Sequence, residues 1–165
     1  MTFENIIPCI WEQFDPEFVI WQCGADGHYR DFLGHLALTT NVYSYLGKRI
    51  AELSRQGSAQ GRLLLLGDGG YNPDSVTRVW LAILAGIAEI SIPTDSPPDW
   101  VDFCLDKFDM EVSPILIDTP LEPKKLDGYP FIEDEILEAT HESIRYLKKV
   151  LSDIPDLKSC DKFFQ

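Results

Sequence analysis

The sequence predicts an α/β fold built on an open parallel sheet, and three observations predict it. Two short apolar runs, Phe18-Val19-Ile20-Trp21-Gln22-Cys23 and Leu63-Leu64-Leu65-Leu66, have the length of buried strands rather than helices. Each runs into a glycine-containing loop, Gly24-Ala25-Asp26-Gly27-His28-Tyr29-Arg30-Asp31 in one case and Gly67-Asp68-Gly69-Gly70-Tyr71 in the other. Each loop leads into a segment of helical periodicity, and strands alternating with helices imply a parallel sheet with right-handed crossovers. Such sheets hold ligands outside the carboxyl ends of neighbouring strands. The two loops therefore point to one composite site.

Taken in order, Phe3, Ile6, Ile7, Ile10 and Trp11 recur at helical spacing and predict an amphipathic helix over 3–13. Asp15-Pro16 breaks it before the first strand at 18–23. Residues 24–35 form a loop, within which Asp31 is expected to brace the chain through backbone hydrogen bonds. Thr39 or Thr40 can cap a helix carrying Val42, Tyr45, Leu46, Ile50 and Leu53. After the second strand, Asn72 can cap a helix starting at Pro73, with Val76, Val79, Trp80, Ile83, Leu84 and Ile87 on its apolar face. On that helix, Arg78 can face either the sheet or the surface. From Ile90 to Pro130 the chain is rich in proline and is expected to wrap the surface, with a short helix near 98–108. Helical periodicity returns over 132–151.

The chain has 165 residues, one-domain length, and its net charge is −13. Such acidity disfavours nucleic acid and anionic membranes, whose phosphates need a basic face. No apolar run approaches the roughly 20 residues of a membrane span. Cys9, Cys23, Cys104 and Cys160 are scattered without a CxxC pair, which is neither a disulfide framework nor a structural zinc knuckle. The expected compartment is the cytoplasm.

From local sequence alone, Asp26 reads as a carboxylate capping a turn, and Tyr71 as an aromatic on a flexible loop. Glycine-rich nucleotide binding is disfavoured, because neither GxGxxG nor a P-loop lysine occurs. The ordered set Gly24-Ala25-Asp26 with His28 and Asp31, then Gly34-His35-Leu36-Ala37-Leu38-Thr39-Thr40, then Gly69-Gly70-Tyr71 before a helix, says more. It resembles the zinc-dependent deacetylases of the histone-deacetylase superfamily, in particular the acetoin-utilisation type, over about Phe3 to Trp100.

The resemblance implies the C-terminal part of a three-layer α/β/α open parallel-sheet fold of the arginase/deacetylase type. Residues 1–100 would be the C-terminal half of that domain, and residues 101–165 an irregular wrap and C-terminal helix of the same domain. It implies that Asp26 is one of three protein ligands to a catalytic Zn2+ and that Tyr71 donates a hydrogen bond to the oxyanion. Leu33 would line the acyl-lysine tunnel, while Gly69 and Gly70 let the backbone approach the substrate pocket. The family's Asp-x-His ligand pair and its His-His base lie upstream, in sequence this chain lacks, which leaves His28 either to support the metal's ligands from behind or to structure the loop, and His35 as a hydrogen-bonded loop residue. Phe32 stands where the family usually has proline, and Asp68 where it has glycine or glutamate.

The expectation is thus part of a deacetylase or amidohydrolase acting on acetyl-lysine or an acetylated small amine, inactive by itself. The N-terminal half of the domain, or a homo-oligomer partner, would complete it. The alternative is a non-catalytic interaction module that kept the half-fold and self-associates through its exposed sheet edge or apolar face.

Overall fold

The computed structural model of the protein describes residues 2–119 and 133–154. Its elements follow in the expected order: α1 (Thr2–Phe14), β1 (Val19–Gln22), α2 (Thr40–Ser54), β2 (Leu63–Leu66), α3 (Pro73–Ala88), α4 (Pro98–Phe108) and α5 (Glu133–Ser152). The chain divides into two compact units. One comprises Met1–Val19, Leu53–Arg62 and Glu122–Gln165, the other Ile20–Glu52 and Leu63–Leu121.

In the first unit, α1 packs against α5, with Ile6 and Ile144 buried. Asp15 ends α1 in the left-handed region and accepts hydrogen bonds from the backbone and hydroxyl of Ser58. Cys9 is disulfide-bonded, against the reading of four scattered thiols, whereas Cys23 and Cys104 are free.

The second unit carries the sheet apart from Val19, the first residue of β1, which with Arg62 belongs to the first unit. Val19 N–H donates to the Arg62 carbonyl and Cys23 N–H to that of Leu66, so both strands advance together and the pair is parallel. Its core gathers Cys23, Ala25, Tyr43, Val79, Ala82 and Ile83, with Trp21 and Leu65 packed against them. Helices α2 and α3 approach closely because Gly47 faces the Ile83 backbone and Gly86 the Ser44 backbone, and a Cβ at either would collide. Asn72 caps α3 as anticipated: its side chain accepts from the Ser75 N–H, 3.1 Å away, and Pro73 opens the helix. Such a cap contributes about 1 kcal/mol.

The segment after Ile90 departs from a simple surface wrap. Thr94–Ser96 and Pro114–Leu116 form a short antiparallel bridge, and Ser96, Ser113 and Asp118 are buried. The expectation for the stretch containing Pro120, Pro123 and Pro130 lies outside the described residues. No described helix is long and apolar enough to cross a membrane.

Candidate active site

The loops after β1 and β2 meet. Ala25 N–H donates to the Gly69 carbonyl at 2.5 Å, tying the two strand ends together. Asp26 follows at once, half-buried, and its carboxylate lies against glycine. A Cβ on Gly69 would collide with that carboxylate, one on Gly34 with the Asp26 carbonyl, and one on Gly24 would stand 3.0 Å from Oδ1. Gly70 makes similar room, since a Cβ there would lie 2.6 Å from Val76 Cγ2 and 3.1 Å from Ala25 Cβ. The structure therefore places Gly69 and Gly70 under the Asp26 loop, where lack of a side chain permits the close approach of both loops.

Asp31 holds the rest together. Oδ1 accepts the N–H groups of Leu33 and Gly34 at 2.9 and 3.0 Å, and Oδ2 accepts the N–H of Tyr71 at 2.7 Å. The expected loop brace thus also reaches across to the β2 loop and fixes Leu33 and Tyr71 relative to one another. Burial pushes the Asp31 carboxyl up, but the backbone donors of Tyr71, Leu33, Gly34 and Asn72 outweigh it and hold it below the usual carboxylate value. Tyr71 and Leu33 are both about half exposed, and the rings of Phe32 and Tyr71 stand 6.3 Å apart.

Beneath the loop lies Tyr43, 4% exposed, its hydroxyl against Gly27. Burial, reinforced by the negative charge of Asp26, pushes the phenol up to about 12, while the Gly27 N–H works the other way. The neutral phenol's contribution to stability is complete below its ordinary value of about 10 and is lost as pH rises through about 12. Alkaline unfolding followed by circular dichroism should show a limb across that interval. Tyr43→Phe should flatten it, and an unchanged limb would mean that another group carries it.

His28 is fully buried and has no nitrogen free for a metal. Nδ1 accepts the Arg30 N–H at 3.2 Å, so the proton sits on Nε2, which donates to Asp118 Oδ2 at 2.8 Å. It structures the loop, one of the two roles left open to it, and the Asp-x-His spacing with Asp26 is not a ligand pair. His35 is exposed with φ 49°, in the left-handed region.

Sequence reasoning missed the hub to which His28 is tied. Asp118, 3% exposed, also accepts the Thr40 N–H at 2.8 Å and a guanidinium N–H of Arg78, while its own N–H donates to Thr40 Oγ1 at 2.8 Å. Arg78, 2% exposed, reaches Asp74 as well, at 3.3 Å. Asp74 in turn accepts from Arg30 at 3.1 Å and from the Ser113 N–H at 2.9 Å. Burial acts to raise the Asp118 carboxyl, yet His28, the Thr40 N–H and Arg78 hold it far below the ordinary value. The one available signal was Arg78 itself, a charge on an apolar helix face that needs a buried partner.

Asp31, Asp74 and Asp118 are thus consumed by the fold. Asp26 is different: among the described residues no donor reaches its carboxylate, which is half-buried where the two loops meet. The described residues hold no group of three or more His, Cys, Asp or Glu able to bind a metal. Asp26 suits one position in a metal's coordination shell, and the described residues do not complete that shell.

Residues 1–87 match the histone deacetylase domain. The chain belongs to the histone deacetylase family. It is 35% identical over 89 residues to the acetoin utilization protein AcuC of Bacillus subtilis, a match covering 53% of this chain and 23% of that protein. It is 37% identical over 111 residues to histone deacetylase 6 of Caenorhabditis elegans, covering 64% of this chain and 11% of that one. Among solved structures, a histone deacetylase homolog from Aquifex aeolicus superposes with a TM-score of 0.57 at 23% identity, over 84% of this chain and 37% of that one. This likeness confirms the arginase/deacetylase type of α/β fold. The chain spans less than a quarter of the AcuC relative it matches.

Proposed function

We propose that this chain is part of a zinc-dependent deacetylase that hydrolyses an acetyl-amide, acetyl-lysine or an acetylated small amine. The observation that carries the reading is the half-buried Asp26 carboxylate, set among glycines where the loops after the two strands meet, with no hydrogen bond to it among the described residues. A carboxylate kept in this state suits a hard or borderline cation, and zinc accepts an Asp oxygen beside imidazole nitrogens. A bound zinc would supply a Lewis acid and an activated water. This chain's own part is to hold Asp26 at the metal, to present the Tyr71 hydroxyl to the developing oxyanion, and to place Leu33 along the substrate.

Further ligands and a general base are required, and the N-terminal half of a deacetylase domain is their proposed source. The experiment is zinc content per chain in the assembly that contains that half. Near-stoichiometric zinc that disappears in Asp26→Ala supports the reading. Zinc retained in Asp26→Ala sinks it.

A further inference from the structure

A cleft opens within the second unit beside the two loops of the candidate site. Its volume is about 440 Å³, and Arg30, Asn72, Asp74, Glu111 and Ser113 are among the residues that line it. That is the size of a small-molecule site, for which roughly 300–1,000 Å³ is usual. Two lining residues adjoin the proposed chemistry directly. Arg30 precedes Asp31 and Asn72 follows Tyr71, and the Asn72 amide donates to the Arg30 carbonyl at 3.1 Å.

The cleft carries a cation and an anion that do not meet. The Arg30 guanidinium is held in place, because Nη1 donates to Asp74 Oδ2 at 3.1 Å and Cζ stands 6.0 Å from the centroid of the Tyr29 ring. Its other N–H donors reach no acceptor among the described residues, and the side chain is 46% exposed. Asp74 is already engaged by Arg30, Arg78 and the Ser113 N–H. Glu111 is exposed, and among the described residues no hydrogen bond or ion pair reaches its carboxylate. Opposite charges that line one cleft and stay apart suit a ligand that carries both charges itself. A phosphate would face Glu111, and a metal ion or a simple amine would face Arg30, each against a like charge. An α-amino acid meets neither obstacle. Its carboxylate accepts two parallel hydrogen bonds from the guanidinium fork, and its ammonium donates to Glu111.

We propose that this cleft binds the zwitterionic head of a free α-amino acid. That the preferred substrate of the deacetylation is therefore free Nε-acetyl-lysine, held by its head beside the Tyr71 loop, rests on the functional reading above. A lysine within a protein chain has neither head charge, so Arg30 and Glu111 would gain nothing from it.

The test is calorimetric titration of the full chain with Nε-acetyl-L-lysine, and with the same compound blocked at both ends as its Nα-acetyl methylamide. The free amino acid is expected to bind, and the blocked compound to bind about 10-fold more weakly or worse. Arg30→Met and Glu111→Gln should each weaken the free amino acid about 10-fold, the usual worth of a charge-assisted hydrogen bond, and leave the blocked compound unaffected. Glu111 is exposed, so Glu111→Gln should leave circular dichroism and melting unchanged. Arg30→Lys keeps the charge beside Asp74 and gives up the fork, so it should keep the fold and lose most of the binding. It carries the test should Arg30→Met fail to fold. No binding of the free amino acid, or equal binding of the blocked compound, overturns the proposal. Indifference to both substitutions also overturns it, because the ligand then sits elsewhere. A response to one substitution alone does the same, since the cleft would then read only a carboxylate or only an amine. Binding that obeys both substitutions, in a chain whose completed assembly neither holds zinc nor deacetylates, would sink the proposed function and leave the amino-acid site standing.

Discussion

Asp118→Ala is expected to lower the stability of the fold by about 3–5 kcal/mol, the cost of removing one member of a buried ionic pair. The size follows from what is stranded. Arg78 is 2% exposed, and its Nε has no partner among the described residues, so its charge depends on Asp118 and Asp74. His28 Nε2 and the Thr40 N–H would also lose their acceptor in a site closed to water. Asp118→Asn keeps an acceptor for one of these donors but forfeits the charge opposite Arg78, so it should fall between wild type and alanine. Urea denaturation reads the effect as a lowered midpoint at unchanged slope. A shift equivalent to less than about 1 kcal/mol would mean that the cluster is loosely held and not the hub. The pH dependence has a definite sign. A carboxyl lowered in the folded state contributes stability that is complete above its unfolded value of about 4 and is lost as pH falls from there through the lowered value. Wild type should therefore lose stability in acid more steeply than Asp118→Asn.

The contrast between Asp26 and Asp118 shows what the sequence could and could not disclose. Strands, caps and helices were legible because their causes are local: the length of the apolar run 63–66, the Asn72-Pro73 start of α3, and the break at Asp15-Pro16. Asp31 was legible as a loop brace from its place in the polar stretch after the first strand, whereas only the resemblance to the deacetylases singled out Asp26 and Tyr71. That Asp31 holds the Tyr71 backbone across 40 residues was not legible, since a loop's donors are invisible until both loops are placed. Asp118 was less visible still. It follows Ile115-Leu116-Ile117 in a proline-rich stretch where nothing periodic marks the inward side, and its partners lie 40 to 90 residues away. Polar groups buried by long-range pairing leave only one-sided traces, such as Arg78 on an apolar helix face.

Tyr71→Phe is expected to reduce turnover in the zinc-loaded assembly by about 10²–10³-fold, the usual loss when one oxyanion donor is removed. The structure makes this a clean deletion. The Tyr71 backbone is fixed through its N–H to Asp31 and the ring neighbours Phe32, and neither contact involves the hydroxyl. The ring should stay in place, with zinc content and stability unchanged. On the proposed reading the hydroxyl acts where charge develops, so the loss should fall on kcat, with KM for an acetyl-lysine peptide nearly constant. Asp31→Asn would behave differently. It weakens the hold on Tyr71, Leu33 and Gly34 together, so kcat, KM and stability should all move. A Tyr71→Phe assembly that turns over at the parental rate would remove Tyr71 from the chemistry. The half-exposed phenol would then be a surface aromatic at the rim of the site, and stabilisation of the oxyanion would have to come from groups outside this chain.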